Sequence, residues 1–238
     1  MAGKFGFLSK LEFLQNLASA LVAWISPAVV HNLEKYLALK KVHYLSSIED
    51  IEGDYLEFGV FTGSSFCHSI RCCYRMSQLN SKVLGTRFFG FDSFSGFGEL
   101  AEDDEHSFYT DENFATSLKD VNKRVAKVAK GIEFKLISGF FSESLKEGAA
   151  KNGINRSRII FIDSDTYSSA AEALTFCLPT IQDGTFVVLD DYFSYKGSKA
   201  KGVARAFAEF IEQGQFSVRQ VFTYGMGGAV YVVSDSND

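Results

Sequence analysis

Proline is nearly missing from this chain. In 238 residues it occurs twice, as Pro27 and Pro179, so no Pro-rich linker or spacer divides the sequence and a disordered tail is not expected. Cysteine is scarce too, limited to Cys67, Cys72, Cys73 and Cys177. No C-x-x-C pair occurs and the one nearby histidine is His68, so metal-ligand spacing is absent. The four thiols read as buried and reduced, as in an intracellular, cytoplasmic protein. Basic residues are outnumbered, 24 Lys and Arg against 29 Asp and Glu for a net charge of −5, which removes the electrostatic footprint of a nucleic-acid binder. Long hydrophobic runs are also lacking. The apolar stretch from Leu17 to Val30 is broken by Ser26 and Pro27, and Glu12, Gln15 and Asn16 interrupt its approach. It is too short to span a bilayer. Lys4 and Lys10 precede it as they would a secretory signal, but the stretch reads as a packed helix, and no membrane partner is expected.

What the chain does have is apolar bulk, 46% of residues, with aromatics at 15% and 24 Phe. A core or ligand pocket rich in phenyl rings is implied, within a length that suits one domain. Residues 1–47 carry Leu8, Leu11, Phe13, Leu14, Leu17 and Leu21 at helical spacing, and Pro27 opens a second helix. They form an N-terminal helical cap, part of the same domain as residues 48–238. From Gly53 onward strand and helix patterns alternate. Strands fall at 54–60, 86–94, 132–138, 158–163, 185–190, 215–224 and 229–234, with helices near 64–79, 116–130, 168–178 and 198–213. Such alternation predicts an α/β fold: a Rossmann-like, seven-stranded, mostly parallel sheet with helices on both faces. The last link, GMGG, is too short for a crossover, so the last strand is antiparallel.

Chemistry-bearing residues collect at the predicted strand ends. The first strand runs into YLEFGVFTGSSF, which is Glu57-x-Gly59-x-x-x-Gly63 and not G-x-G-x-x-G. An acid there repels pyrophosphate but suits a ligand bearing an amine or cation. Tight strand–helix packing is the plainer reading of the two glycines. The second strand ends FGFDSF, where Asp92 could accept from ribose hydroxyls and Phe94 could stack on a base; a simple turn is the alternative. The fourth strand ends FIDSD and the fifth VVLDD. Neighbouring parallel strands lie about 4.8 Å apart, so Asp163, Asp190 and Asp191 can converge on one ion. Oxygen donors of this kind favour Mg²⁺, with Mn²⁺ or Ca²⁺ possible. Asp163 or Asp165 could instead cap the helix beginning near Tyr167, and Asp190 and Asp191 could be turn residues.

EFGVFTG, FGFDSF, FIDSDTYSS and VVLDDYF, in this order over about residues 52–212, resemble the macrocin O-methyltransferase family. These are class I S-adenosylmethionine-dependent enzymes that use a divalent metal and act mainly on sugar hydroxyls of natural products. The resemblance implies that Glu57, Gly59, Thr62, Gly63, Ser64, Asp92 and Ser93 line the adenosylmethionine site, with Gly139 and Phe140 approaching the adenine. It implies metal ligation by Asp163, Asp190 and Asp191 and a general base at Asp165. The expected partner is a small-molecule hydroxyl acceptor, foremost a sugar, and a homodimer is possible. A catechol-type acceptor, a dinucleotide-binding oxidoreductase and a methyltransferase-like binding module are the rival readings. Of the four histidines, none has an assignable role, His106 alone lying toward the expected acceptor side in the acidic stretch 99–112.

Overall fold

A computed structural model of the chain describes residues 11–98, 104 and 114–234. Its centre is a seven-stranded sheet in the order β3-β2-β1-β4-β5-β7-β6. The strands are β1 (Asp54–Phe58), β2 (Phe88–Asp92), β3 (Phe134–Ser138), β4 (Ser157–Ile162), β5 (Phe186–Leu189), β6 (Ser217–Tyr224) and β7 (Gly228–Ser234). All neighbouring pairs among the first five are parallel, and β7 runs antiparallel between β5 and β6. This is the arrangement expected from the alternating pattern and the short last turn.

The central strands read as continuous apolar runs because both of their faces are covered. Their side chains nevertheless alternate between two cores. Leu56, Phe58, Ile160, Ile162, Val187 and Leu189 face one core. Helices α5 (Tyr167–Cys177) and α6 (Gly202–Gly214) pack there through Ala170, Ala173, Phe207 and Phe210. Tyr55, Ile159, Phe161, Phe186 and Val188 face the other. That core is closed by α2 (Pro27–Ile48), α3 (Ser64–Met76) and α4 (Leu118–Ala129), through residues such as Leu39, Phe66, Ile70 and Val125.

Helix α2 starts at Pro27, where a missing N–H does no harm, and is fastened at both ends. Near its C-terminus the buried Arg158 of β4 donates to Ser46 Oγ (3.0 Å) and Ser47 Oγ (2.6 Å). Near its N-terminus Glu34 accepts from the amide of Gly225 at 2.6 Å, and His31 Nδ1 from that of Met226 at 3.1 Å.

Helix α1 (Glu12–Trp24) differs from the packed helix expected for this stretch. None of its residues is buried; Phe13 is 77% and Trp24 88% exposed. Its axis is bent 91° from that of α2 at the Pro27 break, which carries it off the sheet. No single described helix is long and apolar enough to cross a membrane. The last long helix begins at Gly202, not near 198, because Lys201 is extended, with φ −139° and ψ 162°. All four cysteines are free and buried.

Candidate functional site

Strand order reverses between β1 and β4: the chain runs outward through β2 and β3 on one side and through β5 on the other. Ligands of open α/β sheets gather at such a point. A cavity of about 720 Å³ lies there, walled by the residues that follow β1, β2, β4 and β5. The sheet's own hydrogen bonding aligns those residues. Gly59 N donates to Phe91 O (2.9 Å), Asp163 N to Phe58 O (2.8 Å) and Asp190 N to Ile162 O (3.0 Å), so the ladder continues one residue past each strand. Gly59 has φ +97°, and a Cβ on it would lie 1.8 Å from the carbonyl oxygen of Asp163. Glycine is therefore dictated here by the close approach of the backbone carrying the acid.

Of the residues proposed for a cofactor, Gly59, Asp92, Ser93 and Phe140 line this cavity, whereas Glu57, Thr62, Gly63, Ser64 and Gly139 are not part of its wall. Glu57 shows why. Strand alternation turns it toward the core under α2 and α3, where it is fully buried and accepts from Tyr55 Oη and, at 2.6 Å, from Ser65 Oγ. Burial pushes its carboxyl up to about 7, even with those two donors and Lys35 pulling the other way. Asp92 holds the chain around the cavity floor: Oδ2 accepts from Phe61 N (2.7 Å) and Oδ1 from Phe94 N (2.6 Å). Phe94, expected to offer a stacking face, is instead buried in the α2–α3 core with φ +57°. The cavity's aromatic wall comes from Phe61, Phe97, Phe114, Phe140 and Phe141.

Asp163, Asp190 and Asp191 come together as the strand ends imply, each offering one carboxylate oxygen within 4.8 Å of the others. Three hard oxygen donors facing a cavity fit a divalent cation such as Mg²⁺. Neither Asp163 nor Asp165 caps α5. Thr166 Oγ1 does so, accepting from Ser169 N at 3.3 Å, and Asp104 Oδ1 accepts from Tyr167 N (2.8 Å) and Ser168 N (3.3 Å). The rest of the stretch 99–112, His106 included, lies outside the described residues. Asp165 is held in the left-handed region, φ +62°, unusual for a residue with a side chain. It lines the cavity and shares a hydrogen bond with Asp191. Burial, reinforced by the charge of Asp191, pushes its carboxyl well above the ordinary range. Asp163 is raised by burial and by the charge of Asp190. Asp190 behaves oppositely: burial would raise it, but Lys35 and His31 outweigh that and hold it low.

Lys35 and His31, the two side chains that answer Asp190, are what reading the sequence missed. Lys35 Nζ lies 2.9 Å from Asp163 Oδ2 and 2.7 Å from Asp190 Oδ2. His31 Nε2 is 3.0 Å from the same Asp190 oxygen. Because His31 Nδ1 accepts from Met226 N, the ring proton belongs on Nε2, pointing at the carboxylate. Tyr224 Oη donates to Asp190 Oδ1 at 2.8 Å. A signal was available: His31 and Lys35 stand four apart and continue the stripe of Leu39, Val42 and Ser46 that α2 buries. Alternation does the rest. Asp163 extends the series Ile159, Phe161, and Asp190 the series Phe186, Val188, all on the α2 side of the sheet.

Comparison with known proteins places the chain in a family. Residues 31–218 match the family described as Macrocin-O-methyltransferase (TylF). Mycinamicin III 3''-O-methyltransferase of Micromonospora griseorubida is 23% identical over 181 residues, which cover 70% of this chain and 66% of that protein. The 8-demethyl-8-(2,3-dimethoxy-alpha-L-rhamnosyl)-tetracenomycin-C 4'-O-methyltransferase of Streptomyces olivaceus is 26% identical over 176 residues, 70% of this chain and 64% of that one. The matched part thus spans just under two thirds of the length of these relatives. Among solved structures, the O-methyltransferase NovP superposes with a TM-score of 0.66 at 19% identity, over 83% of this chain and 78% of that one, a likeness of fold.

Proposed function

This chain belongs to the macrocin O-methyltransferase family, and from that premise we propose that it is an adenosylmethionine-dependent, divalent-metal-dependent O-methyltransferase acting on a hydroxyl of a sugar or sugar-bearing small molecule. The observation that carries the reading is the convergence of three carboxylates on one wall of a cavity whose other wall is built on Gly59 and Asp92. When bound, adenosylmethionine supplies a methyl group on a sulfonium leaving group, and a divalent ion supplies a Lewis acid that makes a weakly acidic hydroxyl easier to deprotonate.

The chain's own residues do the remaining work. Asp163, Asp190 and Asp191 would hold the ion. Gly59, Asp92, Ser93 and Phe140 would shape the donor side. Asp165, beside the acids but not among the three, would take the acceptor's proton on a carboxylate oxygen. Its raised affinity for a proton makes it a better base than an ordinary carboxylate once ionised. Holding two reactants in one cavity contributes through proximity. Charge narrows the acceptor. Among the described residues lining the cavity, Lys35 and His31 both already face acids, and five aspartates line it with them. Such a wall disfavours a phosphorylated acceptor and suits a neutral hydroxyl. The rhamnosyl group in the Streptomyces relative's name supports a sugar.

The aromatic wall, where Phe61 and Phe97 each pack against Phe114, favours a second reading, an aromatic diol as acceptor. One experiment separates the two. Transfer of labelled methyl from adenosylmethionine to a panel of glycosides and catechols is measured with Mg²⁺ and with chelator. The expected result is labelling of glycosides that chelator abolishes. Label on catechols alone would establish the second reading, and no binding of adenosylmethionine by titration calorimetry would overturn both.

A further inference from the structure

Lys35 occupies an unusual place for a lysine. Its side chain is only 10% exposed, its ammonium contacts Oδ2 of both Asp163 and Asp190, and it passes within 5.8 Å of the Phe161 ring centre. These two carboxylates belong to the same three-carboxylate cluster that would hold a divalent ion. A divalent ion held by Asp163 and Asp190 would draw on the same carboxylates that Nζ now contacts. Two cations a few ångströms apart in a buried site repel strongly. The two occupancies therefore exclude each other. The ammonium is bound through donors it can re-aim on a flexible four-carbon stem. The helix that carries it is fixed independently, through Arg158 at one end and through Gly225 and Met226 at the other.

We propose that Lys35 is a resident cation of the metal site: its ammonium holds Asp163 and Asp190 together in the metal-free chain, and its side chain swings out of the cluster when a divalent ion takes its place, while α2 stays put. The inference rests on the metal-dependent reading above and adds a device to it. Without such a cation Asp163 would lose its charged partner and face Asp190, left with His31 and Tyr224, across a buried gap. With it the acid cluster is preformed, and ion affinity is set by exchange of one cation for another, not by simple filling.

The test uses the full chain and Mn²⁺ as probe, with two readouts. The first is the rate at which Lys35 is acetylated by an amine-reactive ester, followed by mass spectrometry, with and without saturating Mn²⁺. Displacement predicts at least a tenfold faster modification of Lys35 with the ion present and little change at Lys40 or Lys41 of the same helix. An unchanged Lys35 rate in a chain that binds Mn²⁺ would overturn the proposal. The second is Mn²⁺ affinity of the natural chain, Lys35→Met and Asp163→Asn by calorimetry. Expected are at least tenfold tighter binding for Lys35→Met and loss of binding for Asp163→Asn. Equal affinity in the natural chain and Lys35→Met, lost in Asp163→Asn, would leave the metal reading standing and remove the role of Lys35. Binding by Lys35→Met alone would overturn both the exchange and the metal reading of the natural chain, making Lys35 the permanent cation. Binding by none of the three would end both.

Discussion

The two halves of the sheet neutralise their strand-end acids by different means. On the β1–β2 side, Glu57 is answered by the hydroxyls of Tyr55 and Ser65, and Asp92 by the amides of Phe61 and Phe94. On the β4–β5 side, Asp163 and Asp190 are answered by the charged side chain of Lys35, with His31 and Tyr224 completing Asp190. Neutral donors satisfy an acid without adding charge, so the first half is a finished scaffold against which a ligand can lie. A charge balanced by another charge can be exchanged, which suits the second half to the ion-binding role proposed for it. The contrast also separates two readings of a buried carboxylate that look alike in sequence: strut or ligand.

The strongest way to break this contrast is at Asp165. As a base it should lose about 10²–10⁴-fold in kcat on conversion to Asn, with donor affinity by calorimetry unchanged. A rate within a factor of three of the natural enzyme would move Asp165 to the scaffold class. Next in size is Gly59→Ala, where a methyl group would collide with the backbone of Asp163 and the φ of +97° would be strained. A loss of about 3 kcal/mol in stability is expected, read by urea unfolding, together with weakened Mn²⁺ binding because the collision is with the residue carrying the ligand.

The smallest effect tests the scaffold half. A carboxyl whose pKa is raised from 4.5 to about 7 by folding favours its neutral form in the native state. Its contribution is fully present below pH 4.5 and lost as pH rises through 7, amounting to about 3 kcal/mol above that. Glu57→Gln should flatten thermal stability between pH 4.5 and 7 and recover about 1–2 kcal/mol at pH 8. A variant that leaves the pH profile unchanged but weakens adenosylmethionine binding would show that Glu57 touches the donor.

Much of this was legible in the chain. Alternating apolar runs and helical stripes predicted the sheet and the direction of its last strand, since periodicity is a local property. The doublets ending β4 and β5 predicted convergence of their acids, since adjacent parallel strands leave their ends side by side. The fate of Glu57 was not legible. A residue on a strand buried on both faces gives no sign of which core it enters, and Ser65 becomes its partner only when α3 folds back. Nor was helix α1, whose apolar residues look like any packed helix until the bend at Pro27 takes them away from the sheet.

By itself the sequence determined the order of strands and helices, and with it which acids stand at strand ends, because hydrophobic period and chain connectivity are written residue by residue. Only the tertiary structure decided what those acids meet. Lys35 and Asp163 lie 128 positions apart and Lys35 and Asp190 further still. Nothing local to either segment sets that meeting; it follows from α2 crossing the same sheet face toward which strand alternation turns both aspartates.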